Sequence, residues 1–178
     1  NTQVGGVGGQ GIESNIQSVA DRWRSMHAKQ SHGDQPKKVP FLFGLCMSYR
    51  LKVLKEVEGF DPRFTTNAED VDLGLRVNAA GYDLYYFPEA KVYHQRTDNI
   101  DSLKLTMMRW YEAGYYAARF NRAHPWKLFA GTLRRIITDP IKDMAVFCDP
   151  ELAPLSIKIN LLKLRSLILA VRNYNEVI

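Results

Sequence analysis

Apolar residues recur at helical spacing through most of the carboxyl-terminal half of the chain and gather into shorter runs before it. The pattern predicts an α/β fold with few strands and a predominantly helical second half. Ile16, Val19, Ala20 and Trp23 share one face of a helix predicted over 14–29, and the polar segment 30–40 reads as a loop. Residues 41–48 form an apolar run with the length of a buried strand, and Arg50 begins a helix through about Val57. A further helix starts near Glu69, with Asn67 as its N-cap, Val71 and Leu75 facing inward and Gly81 at its carboxyl-terminal stop. Residues 82–87 predict a strand that Pro88 breaks and that resumes to His94; Ala90, Val92 and His94 alternate there with Lys91 and Tyr93.

A long helix is predicted over 101–122, capped by Asp101 or Ser102 and dense in aromatic residues. Residues 126–148 predict a helix broken at Pro140, and 155–173 a last one. In that last helix Ile157, Leu161, Leu164, Ile168 and Val171 make an apolar stripe, and Lys158, Arg165 and Arg172 repeat every seventh residue on another side. Such a stripe suits packing on the domain or on a second copy in a homo-oligomer, and it permits peripheral contact with a membrane surface.

At 178 residues, 46% hydrophobic and 24% charged, the chain has the composition of a globular domain with a real core. A net charge of +5 favours anionic partners such as a nucleotide diphosphate, a lipid-linked acceptor or a membrane surface, and no nucleic-acid-binding motif is present. Cys46 and Cys148 form neither a disulfide framework nor a zinc spacing, which fits a cytoplasmic location, at the inner face of the membrane if the basic stripe is used. No signal pattern opens the chain and no apolar run is long enough to span a bilayer.

Glu69, Asp70 and Asp72 crowd the first turn of their helix, where the partial positive charge of the helix N-terminus favours ionised carboxylates. Asp72 and Arg76, four apart, can pair and hold the helix in place, leaving Asp70 for chemistry and Glu69 to shape its field. Helix stabilisation alone is the plainer reading of the same acids. The wider string argues for more: Phe43-Gly44-Leu45-Cys46-Met47-Ser48-Tyr49-Arg50, Val57-Glu58-Gly59-Phe60-Asp61, Glu69-Asp70-Val71-Asp72-Leu73-Gly74-Leu75-Arg76, Ala80-Gly81-Tyr82, Pro88-Glu89-Ala90 and Val92-Tyr93-His94.

In order and spacing, residues 41–98 resemble the second half of the catalytic domain of family-2 glycosyltransferases, which have the GT-A fold. The resemblance implies transfer of a sugar from a nucleotide-sugar donor to a glycan or lipid-linked acceptor with inversion, in the hexosyltransferase class. It implies Asp70 as general base and His94 as ligand of a divalent cation (Mn or Mg) on the leaving diphosphate. Gly44 and Arg50 would lie near the acceptor. Thr106-Met107-Met108-Arg109-Trp110 is similar to the Gln-x-x-Arg-Trp of processive polysaccharide synthases, with Thr where that motif has Gln; it implies Arg109 at the diphosphate and Trp110 at the acceptor. The family's upstream Asp-x-Asp is not found in residues 1–60. The chain is therefore expected to be the acceptor-side half of a GT-A domain (1–98) with a helical extension (99–178), either part of a longer protein or a natural half-protein.

Two other classes compete. A non-catalytic acceptor-docking or assembly module would need none of the donor side. A nucleotide-cofactor binder could use Gly6-Val7-Gly8-Gly9-Gln10-Gly11, which fits G-x-G-x-x-G but has little room for the strand that should precede it.

Overall fold

The computed structural model describes residues 3–65 and 67–177. These residues form four strands and six helices in two compact units. The first unit comprises the chain through Asn15 and Lys29–Arg96; the second comprises Ile16–Ala28 and the chain from Thr97 onward.

In the first unit a four-stranded sheet has β1 (Val4–Glu13) and β4 (Asp83–His94) at its centre, parallel to each other. β2 (Lys37–Val39) pairs antiparallel with β4 at one edge, and β3 (Met47–Tyr49) antiparallel with β1 at the other. The glycine-rich opening is thus an inner strand and not a phosphate-binding loop. Its glycines admit close neighbours: a Cβ at Gly9 would stand 2.0 Å from the Ala90 carbonyl oxygen.

Pro88 does not break β4. Gly8 pairs with Tyr86 and Gln10 with Lys91, so residues 87–90 bulge opposite Gly9 and remove the proline from the ladder. Gln10 Nε2 donates to the Pro88 carbonyl at 2.6 Å and anchors the bulge.

The apolar run 41–48 is mostly a turn, with Cys46 N–H donating to the Phe43 carbonyl; only its end joins β3. Its hydrophobicity is used by ring packing, since Phe41 and Phe43 contact His32, which also meets Tyr86. The polar segment 30–40, read as a loop, contains β2, an edge strand whose Lys38 pairs with Asp83.

Two helices complete this unit, α2 (Leu51–Glu56) and α3 (Glu69–Ala79). The N-cap of α3 is Ala68, in the left-handed region at φ 65°, not Asn67. Leu73 and Val77 face the core with Val39, Leu42, Val53, Leu84 and Tyr86, whereas Val71 and Leu75 are only half-buried. Both pairs are four apart, so periodicity alone does not choose between them. Gly81, at φ 88°, lies just past the Ala80 C-cap.

The second unit holds α1 (Val19–His27), α4 (Ile100–Phe120), α5 (Trp126–Ala145) and α6 (Leu152–Val177), with α6 packed on both α4 and α5. Ser18 and Asp21 cap α1 reciprocally, so the helix starts later than predicted and leaves Ile16 outside. Asn99 and Ser102 do the same for α4. Pro140 sits inside α5 without ending it, and Asn160 Nδ2 donates to the Arg135 carbonyl on the preceding turn.

Trp23, Leu103, Met107, Leu152 and Ile159 form the main apolar cluster of this unit. Beside it runs a buried polar chain. Trp23 Nε1 donates to Ser156 Oγ (2.8 Å), Ser156 donates to Asp143 (2.5 Å), and Asp143 contacts His27 Nε2 (2.5 Å). Arg24 and Asp98 pair, both fully buried. Among the described residues no helix is long and apolar enough to cross a membrane.

Candidate active site

The first turn of α3 carries Glu69, Asp70 and Asp72, each placed differently. Asp72 turns into the protein, 1% exposed, and accepts from Arg76 Nε at 2.8 Å. Arg76 also donates through Nη1 to the Val57 carbonyl, which ties α3 to the end of α2. Asp70 stays half-buried. Its Oδ2 accepts the Gly44 N–H at 2.9 Å and its Oδ1 the Val71 N–H at 2.8 Å, and no Lys or Arg among the described residues pairs with it.

Burial pushes the Asp70 carboxyl above the ordinary aspartate range; the Gly44 N–H pulls against it, and the neighbouring charge of Glu69 adds to the rise. This carboxylate is oriented by backbone donors yet not neutralised by a cation. That is the condition of a proton acceptor.

The exposed Gly44 rests against both acids: a Cβ there would lie 3.6 Å from Asp70 Oδ2 and 3.9 Å from Glu69 Oε1. Glu69 Oε2 is buried without a hydrogen-bond partner, and so is the hydroxyl of Tyr49. Burial, then the charge of Asp70, holds the Tyr49 phenol well above its usual range. Tyr49 is the residue that sequence reasoning missed. It sits in the motif string but reads as an ordinary strand aromatic; that its hydroxyl is buried without a partner and feels the Asp70 charge appears only once β3 docks on β1. Close by in sequence, Leu45–Ser48 line one side of an apolar cleft of about 340 Å³, with Val7, Phe87 and Ala90 among the other walls.

His94 ends β4, and the parallel register sets it beside Glu13 at the end of β1, with Nδ1 to Oε1 at 3.1 Å. Among the described residues no three His, Cys, Asp or Glu side chains gather as a metal-holding set. Arg50 donates through Nε to the Val4 carbonyl at 2.7 Å, and its own N–H bonds to Gly5. Arg109 is exposed on α4, and Trp110 packs on the apolar cluster of the helical unit, with the Arg24 guanidinium 5.8 Å from its ring. The structure thus gathers Asp70, Glu69 and Gly44, with the Tyr49 phenol subject to the Asp70 charge; His94 and Arg50 each have another partner, and Arg109 and Trp110 belong to the second unit.

Residues 8–171 match the family model described as glycosyl transferase family group 2. Two curated relatives, from two strains of Mycobacterium tuberculosis, are each an N-acetylglucosaminyl-diphospho-decaprenol L-rhamnosyltransferase, 34% identical to this chain over 74 residues. The match covers 42% of this chain and 24% of each relative. With a family match across most of its length, on an α/β domain whose carboxyl-terminal half is helical, this chain belongs to the family 2 glycosyltransferases.

Proposed function

We propose that the chain supplies the acceptor side of an inverting sugar transfer from a nucleotide-sugar donor, with Asp70 as general base. The acceptor hydroxyl gives its proton to Asp70 as its oxygen bonds to the anomeric carbon; the bond from that carbon to the diphosphate breaks, and the nucleoside diphosphate leaves with the electron pair. The carrying observation is the Asp70 carboxylate, fixed by two backbone N–H groups and free of a cationic partner. Glu69 stands beside it, and Gly44 leaves the approach open where a side chain would narrow it. Asp72 and Arg76 fix the helix that presents the base.

The relatives' name points to a polyprenyl diphosphate-linked sugar as the acceptor class, and the apolar cleft lined by Leu45–Ser48, which follow Gly44 in sequence, suits a partly apolar acceptor. A divalent cation, Mn or Mg, would neutralise the leaving diphosphate when bound. His94, braced by Glu13, is the ligand this chain would offer, but the described residues do not make a complete donor set. Arg109 would meet the diphosphate; Trp110 and Arg50 would meet the acceptor. The work would take place at the cytoplasmic side of the membrane. A docking module without catalysis has no observation in its favour.

Asp70→Asn in the whole enzyme tests the assignment. The rate of transfer should fall by roughly a hundred- to ten-thousand-fold while donor affinity, measured by calorimetry, stays within about twofold. Wild-type transfer by this variant removes Asp70 as the base.

A further inference from the structure

We infer that the helical unit docks on an anionic lipid surface through the outer faces of α5 and α6. This goes beyond the transfer chemistry and does not depend on it. On α5, Trp126, Leu133, Ile137, Ile141 and Met144 recur on one face and stand open to solvent, with Trp126 71% and Ile137 66% exposed. On α6 the stripe of Ile157, Leu161, Ile168 and Val171 is also exposed, because the opposite side of that helix makes the core. Rows of large apolar side chains left open on two packed helices of one unit mark a contact surface.

Charge selects the partner. Both carboxylates of α5, Asp139 and Asp143, are buried, while Lys127, Arg134 and Lys142 are exposed. From Leu152 to Tyr174, α6 has no acidic residue, and Lys158, Arg165 and Arg172 are exposed. The acids of α5 thus point in, while Lys127, Arg134, Lys142, Lys158, Arg165 and Arg172 point out beside the apolar rows. Apolar rows bordered by cations of one sign complement acyl chains under anionic headgroups, and an exposed tryptophan suits the interface between them. The same like charges would repel across an interface made by two copies of this face. The buried polar side of α6, with Ser156, Asn160, Lys163 and Ser166, keeps the helix lying on the surface rather than entering it.

Vesicle sedimentation tests the inference. The chain should bind vesicles of phosphatidylglycerol and phosphatidylcholine in equal parts, bind pure phosphatidylcholine far less, and release as salt rises. Arg134→Gln with Arg165→Gln should weaken binding roughly 25-fold, about fivefold per charge. Ile137→Asp with Ile141→Asp should abolish it. All four sites are exposed, so circular dichroism and melting should match wild type. On binding, tryptophan emission should shift to the blue, and Trp126→Phe should remove most of that shift. Absence of binding to the anionic vesicles, binding unchanged in both double variants, or a wild-type dimer that Ile137→Asp dissociates would each overturn the lipid assignment.

Discussion

Gly9 shows how tightly single positions are determined. An alanine would ordinarily gain about 0.4–1 kcal/mol by restricting the unfolded chain. At Gly9 its methyl would stand 2.0 Å from the backbone oxygen of Ala90, which cannot turn aside as a side chain could. Overpacking wins: Gly9→Ala should lower stability by about 2 kcal/mol or more in urea unfolding, and an unchanged midpoint would disprove the contact. At this scale the sequence was informative where chemistry is local. The acids at the start of a helix are visible as a helix-start signal, and Gly81 as its stop. It was silent where strands distant in the chain meet: that Glu13 stands beside His94, or that Tyr49 lies near Asp70, depends on register and docking. The N-cap is Ala68 and not Asn67, since Ala68, with no polar side chain to mark it as a cap, adopts the left-handed turn.

At the scale of elements, periodicity revealed each long helix but not which side it buries. The apolar stripe of α6 faces solvent, and its core side includes Ser156, Asn160 and Lys163, because each polar group finds a partner inside. Lys163 is 2% exposed, with its Nζ 4.8 Å from the Trp23 ring and 5.0 Å from that of Tyr111. The rings favour the ammonium; burial first, then the Arg135 charge, opposes it and brings its pKa down to about 7. An unfolded lysine holds its proton up to about 10.5. Between those values the unfolded chain binds more protons, so stability rises with pH, by at most about 1.4 kcal/mol per pH unit. Lys163→Met should flatten that rise in denaturant titrations from neutral to alkaline pH; equal slopes in both proteins would contradict the shift. Short elements were the least legible: β2 lies in a segment whose lysines and glycine read as loop, and Pro88 passes through a strand because a bulge carries it out of the ladder.

For the whole molecule, a sheet unit presents an oriented carboxylate, and a helical unit exposes basic, apolar helix faces. The family and the α/β class were legible because the motif string spans the sheet unit at fixed spacing. The composition of the units was not, since α1 lies between two pieces of the sheet unit in sequence yet packs with α4 and α6. In the proposed transfer, Asp70 accepts the proton of the incoming hydroxyl. A base must be ionised to act, and burial raises the pKa of this one above the ordinary 3.8. The most direct measurement is the pH dependence of kcat/KM for transfer by the whole enzyme, with circular dichroism recorded at each pH. The rate should fall on the acid side with a midpoint above 3.8 while the fold persists; a rate that holds constant on acidification until the protein unfolds would contradict the account.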